Sequence, residues 1–158
     1  MFAYEVRIRK AATVAIDGNR ANYIFSDFDL KETYLPQESL EDLGEKPFVK
    51  VVSIGHSAER QRILRDTTKV LLSLPVQIAI QQRVNVEDTE YIDKLVLFAE
   101  QIRQTLEDDE LVSGEDYQWQ KTEPLQDPEG NTFSYQDLIQ KGVFNVIFTA
   151  FYHYIKQP

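Results

Sequence analysis

The chain has no cysteine, two histidines and six glycines among its 158 residues, and each scarcity removes a class of chemistry. Without cysteine there are no disulfides, no thiolate metal ligands and no sulfur nucleophile, a composition that suits a reducing compartment. The two histidines, His56 and His153, sit in no HxxxH or HExxH pairing, so the ligand inventory of a zinc site is missing. His56, in Gly55-His56-Ser57 near Glu59, invites a catalytic or metal reading, but standing alone it reads as an ordinary surface or packing residue. The unclustered glycines form neither a GxGxxG fingerprint nor a P-loop, and no nucleophile elbow is present. Residues Asp127 to Asn131 lack the alternating ligands and terminal glutamate of a calcium loop. Long apolar runs are lacking too: nothing approaches the roughly 18 residues of a membrane span. Charges at Glu5, Arg7, Arg9 and Lys10 argue against a signal peptide. The expectation is a protein without enzymatic activity, cofactor or metal, made in a cytoplasm.

Positive charge is also short. Seventeen Lys and Arg face 26 Asp and Glu, a formal net charge of -9. Such a field repels phosphate and disfavours general affinity for nucleic acid. Two charge runs stand out against it. Arg60, Arg62 and Arg65 form the one dense basic group, inside the polar stretch Gly55 to Asp66. Glu107, Asp108, Asp109 and Glu110 form a contiguous acidic run after a helix. A glycosidase needs two carboxylates converging across a cleft, and a contiguous run reads more simply as a solvated helix end.

What is present describes a globular domain. The length supports one hydrophobic core, 42% of residues are hydrophobic, and no Pro/Gly/Ser-rich linker divides the chain. Tyr4 to Asp17 places Val6, Ile8, Ala11, Ala12, Ala15 and Ile16 mostly at helical spacing, with Gly18-Asn19 as a stop signal. Tyr23 to Leu35 suggests one extended segment ending at Pro36, and Ser39 to Leu43 at most a short helical turn. Phe48 to Ile54 reads as a strand. Val70 to Gln81 alternates over more than ten residues, the clearest strand in the chain, with Pro75 implying a bulge or an edge position. After the polar run Asn85 to Thr89, the residues Ile92, Leu95, Val96, Ala99, Ile102 and Leu106 mark an amphipathic helix. A strand near Tyr117 to Thr122, a turn at Asp127 to Gly130 and a helical turn capped by Ser134 lead to a closing strand, Val143 to Ile155. The pattern predicts a single α+β domain: a mostly antiparallel sheet of about four to five strands, packed by one long and one N-terminal helix.

The order of certain segments resembles that of a known family. Tyr34-Leu35-Pro36, Leu40-Glu41-Asp42-Leu43 and Pro47-Phe48-Val49-Lys50-Val51-Val52 come first. Val76-Gln77-Ile78-Ala79-Ile80-Gln81-Gln82-Arg83-Val84, Asp88-Thr89 and the helix Ile92 to Leu106 follow, and Phe144-Asn145-Val146-Ile147 ends the series. Together, from about Tyr34 to Tyr154, they look like phage tail-terminator proteins, also called tail-completion or minor tail protein U-like proteins. The first 33 residues match less well. The resemblance implies a virion structural protein that assembles into a ring, often a hexamer, at the head-proximal end of the tail tube. There it would end tube polymerisation and present a surface for the head connector. Its partners would be itself, the major tail tube protein and the head-completion protein, with DNA only passing through the channel and no membrane involved.

A role of this kind needs no catalytic residue. For its subunit interface the sequence offers the two charge runs, with Arg60, Arg62 and Arg65 of one copy facing Glu107, Asp108, Asp109 and Glu110 of the next. Two readings of other classes stand beside it: a small-molecule-binding or regulatory α+β domain, and an enzyme whose site forms only across subunits, drawing on His56.

Overall fold

The computed structural model describes residues 4–34, 43–54, 59–62, 70–108, 117–124 and 133–156. The elements follow in the order α1 (Tyr4–Gly18), a 3-10 turn (Arg20–Asn22), β1 (Asp29–Thr33), β2 (Phe48–Val52), β3 (Glu59–Arg62), β4 (Val70–Arg83), α2 (Thr89–Asp108), β5 (Gln118–Pro124), α3 (Tyr135–Lys141) and β6 (Val143–Lys156). The expected turns at Ser39 to Leu43 and Asp127 to Gly130 fall wholly or almost wholly outside the described residues.

The six strands form one sheet, ordered β1-β2-β4-β6-β5, with β3 pairing β4 beyond β2. The fold is α+β, as the sequence predicts. The sheet is mixed, however, because β1 runs parallel to β2 while the other pairings are antiparallel. The third helix, α3, packs on β6.

Strands β4 and β6 form the spine, paired without interruption from Val70↔Lys156 to Arg83↔Val143. One face of the spine explains the alternation in the sequence: Leu72, Leu74, Val76, Ile78 and Ile80 of β4 are fully buried, and Phe148, Ala150 and Tyr152 of β6 join them. Helices α1 and α2 lie side by side on this face. α1 contributes Ile8, Ala11, Ala12, Ala15 and Ile16, and the three alanines let it sit close to β4. Helix α2 adds Leu95, Ala99, Ile102 and Leu106 as expected, together with Phe98, which the expected stripe omits. Phe98 is fully buried because an aromatic cluster meets it, with the Tyr23, Phe25 and Phe28 rings 5.9, 5.6 and 5.2 Å away.

Three expectations change in the structure. Residues 23–28 are not strand. The Arg20 guanidinium donates to the carbonyls of Ser26 and Phe28, at 3.1 and 2.7 Å, and so holds the backbone in an irregular turn before β1 begins. The segment Gly55 to Asp66 is not a loop throughout, since Glu59–Arg62 is strand β3, paired with Ser73–Val70. Both β2 and β3 run antiparallel along the same side of β4; the β2 ladder ends at Val52↔Gln77 and the β3 ladder at Glu59↔Ser73, which leaves residues 74–76 of β4 outside both. Pro75 lies in that gap. It needs no bulge against β6, where it pairs in register with Phe151, and on its other side it meets no ladder among the described residues.

At the far end of the molecule Ser134 caps α3, its hydroxyl accepting from the Asp137 amide at 3.1 Å. Gly142 ends the helix in the left-handed region, at φ 64°, where a β-carbon would also press on the Val84 carbonyl. The sharp turn it allows feeds α3 straight into β6.

Candidate subunit interface

Those expected interface residues that lie within the described part of the chain sit at one end of the sheet. Arg60 is opposite Leu72 and Arg62 opposite Val70, in the distal part of the β3–β4 hairpin. Arg65, like His56, lies outside the described residues. The acidic run starts in the last turn of α2 with Glu107 and Asp108, while Asp109 and Glu110 are outside the described residues. That turn is anchored to the sheet by the Tyr152 hydroxyl, which donates to the Leu106 carbonyl at 2.6 Å. Tyr152 pairs with Leu74, two residues from the β4 position opposite Arg60, so the described parts of both charge runs belong to the same end of the subunit.

Glu107 is already engaged within its own subunit. It accepts from Arg103 Nε at 2.9 Å, one helical turn earlier. Burial pushes the Tyr152 phenol well above its ordinary pKa, and the nearby Glu107 carboxylate adds to the shift. Charge at this end is therefore partly balanced inside the protein.

The structure adds two features that the sequence did not reveal. The first is a recess of about 70 Å³ on the flank of α2 next to the β5 edge. Val96, Ala99, Pro124, Phe144 and Phe148 line it, with Phe133 stacked on Phe144 at 5.9 Å, and Glu100 and Arg103 contribute its polar atoms. The sequence pattern assigns Val96 to the buried stripe, but it is 40% exposed, as is Leu97 at 46%. The signal was there in the sequence, since the apolar arc of α2 is wider than one packed face requires.

The second feature lies at the opposite edge of the sheet. Arg9 of α1, almost wholly buried, donates to Ser53 Oγ at 3.0 Å and to Glu32 Oε1 at 3.3 Å. Its guanidinium also lies 5.1 Å from the ring centroid of Tyr34, just past the end of β1. Tyr34 is nonetheless 62% exposed.

A network of other buried polar groups links three elements. Gln81 Nε2 donates to Asn145 Oδ1 at 3.2 Å, and Asn145 Nδ2 to Asp137 Oδ2 at 3.0 Å, tying β4, β6 and α3 together. Burial alone would raise the Asp137 pKa. Hydrogen bonds from Asn145, Lys141 and Ser134, with the Lys141 charge, outweigh it and hold the carboxyl below its ordinary value. Among the described residues no group of three or more His, Asp or Glu could hold a metal ion, and no helix is long and apolar enough to cross a membrane. No family model matches the chain, and no curated protein matches it.

Proposed function

We propose that this chain is a phage virion structural protein that forms a ring at the head-proximal end of the tail tube. In that position it ends tube polymerisation and offers the surface to which the head connector joins. The reading is carried by the ordered series of segments that resembles tail-terminator proteins. Val76 to Val84 of that series lies in β4 and the start of the following turn, Ile92 to Leu106 in α2, and Phe144 to Ile147 in β6. These elements contribute to the core, so the resemblance involves packed elements rather than one surface loop, although α1 and β1 lie in the first 33 residues, which match less well.

Two physical features support the same reading. A formal charge of -9 suits the wall of a channel that DNA must pass without adhering. The described residues also supply a polar and apolar surface suited to protein contacts, and the role asks for no catalytic group. The small-molecule reading gains nothing from the recess, whose 70 Å³ falls well below the roughly 300–1,000 Å³ typical of ligand pockets.

The direct test is to add the purified protein to polymerising tail tubes and follow tube length by electron microscopy. The expected result is tubes capped at one end by a ring and arrested in growth. A protein that neither self-associates nor binds tube ends would overturn the proposal.

A further inference from the structure

We infer that neighbouring copies dock edge to edge, with Tyr34 of one copy inserted into the α2–β5 recess of the next. The inference rests on the ring reading and deepens it, because it names the contact that would build the ring.

The recess sets the chemistry of its occupant. Its walls are aliphatic and aromatic, and its volume of about 70 Å³ admits the end of a single side chain. Glu100, which contributes to its lining, is exposed and has no hydrogen-bond or ion-pair partner among the described residues, whereas Arg103 is already paired with Glu107. An apolar slot beside an exposed carboxylate that has no protein partner among the described residues fits an amphipathic side chain with an apolar body and a donor at its tip. Tyrosine is that side chain. Its hydroxyl would give Glu100 a charge-assisted hydrogen bond.

The same chain offers such a group. Among the tyrosines whose side chains are described, only Tyr34 is mainly exposed. Its hydroxyl has no partner among the described residues, while the buried Arg9 supports one face of its ring. Arg9 is itself fixed by Ser53 and Glu32, so the ring is held ready rather than ordered on binding. Other exposed apolar side chains, such as Val14 and Ile139, have no donor to offer Glu100.

Topology makes the pair head-to-tail. Tyr34 adjoins β1, the first strand of the sheet order, and the recess adjoins β5, the last. Knob and slot are thus on opposite edges of one subunit, the arrangement from which heterologous contacts build rings. Simple strand addition at the β5 edge is disfavoured, because that strand is interrupted by a register shift between Trp119 and Lys121 and ends in Pro124.

A complementation experiment tests the contact. Tyr34→Ala removes the knob and keeps the slot; Val96→Asp spoils the slot and keeps the knob. Both positions are exposed, and circular dichroism confirms folding, with Val96→Lys as a second slot variant. By sedimentation, wild type should form rings and each variant alone should be monomeric, with self-association at least about 30-fold weaker, as for loss of a hot-spot side chain. Mixing Tyr34→Ala with Val96→Asp restores one good contact per pair and should give dimers but no rings. Tyr34→Phe, which keeps the ring and loses the hydroxyl, should be intermediate. If wild type forms rings and either single variant still does, or if the mixture stays monomeric, this contact is wrong while the ring reading survives. A monomeric wild type that also fails to cap tubes sinks both.

Discussion

Replacing Phe98 by Ala should cost about 4 kcal/mol of folding stability, within the ~3–5 kcal/mol range for truncating a buried phenylalanine. The ring is fully buried, and three aromatic neighbours lie within 6.0 Å of its centroid in tilted or edge-on arrangements. Each such pair contributes roughly 0.5–1.5 kcal/mol beyond simple burial, so the site belongs in the upper half of that range. Relaxation is limited too, because Tyr23 is pinned by a 2.7 Å hydrogen bond between its hydroxyl and Thr105 Oγ1. A domain of this size has only about 5–15 kcal/mol in total, so the variant should be folded but close to its threshold. Urea denaturation followed by far-UV circular dichroism gives the change directly. The single tryptophan, Trp119, is a poor probe because it is 40% exposed on an edge strand. Leu97→Ala on the same helix, at a position 46% exposed, is the control and should shift stability by less than about 0.5 kcal/mol. Equal, small effects at both positions would refute the orientation of α2 and the packing argument with it.

Other consequences are open to measurement. The Tyr152 phenol has a folded-state pKa above its ordinary 10.0, so its stabilising contribution is complete below that value and is lost as pH rises beyond it. Wild type should therefore lose stability in alkali more steeply than Tyr152→Phe, and parallel slopes would contradict the burial assigned to the hydroxyl. Ser134→Ala removes the cap of α3 and should cost about 1 kcal/mol, read as a lower urea midpoint at unchanged slope. Asp137 has a depressed folded-state pKa, so its contribution is present above the ordinary 3.8 and is lost as pH falls through the lower folded value. Asp137→Asn should flatten that acid limb. Changing Arg60, Arg62 and Arg65 together to Glu should leave the monomer folded and weaken ring formation most at low salt; unchanged sedimentation there would remove the β3–β4 arm from the interface.

The parts of the fold visible in the sequence are those where burial imposes a period. β4 alternates because one face lies under two helices, and the α2 stripe repeats because Leu95, Ala99, Ile102 and Leu106 meet the sheet. β3 was hidden for the opposite reason. Glu-Arg-Gln-Arg carries no apolar alternation, and the segment is a strand because the β4 backbone beside it supplies hydrogen-bond partners. The direction of β1 was equally illegible, since periodicity says nothing about parallel or antiparallel pairing. Of the candidate interface, the charge runs could be read as composition. The recess could not, because it depends on Pro124 and Phe133 arriving beside α2 from distant parts of the chain.

The break at Pro75, where residues 74–76 of β4 belong to neither ladder, divides the pairing along this side of β4 into two separate registers. Register between β2 and β4 is fixed by the core, where Val49 and Val51 are fully buried. Register between β3 and β4 is set afresh beyond the gap, so a change of length in the arm need not propagate into the packed sheet. Each residue pair added to or removed from the arm alters its reach by about 3.4 Å. Reach is thus adjustable separately from stability, and a protein that must span a fixed distance to a neighbour can be retuned by length alone, without repacking its core.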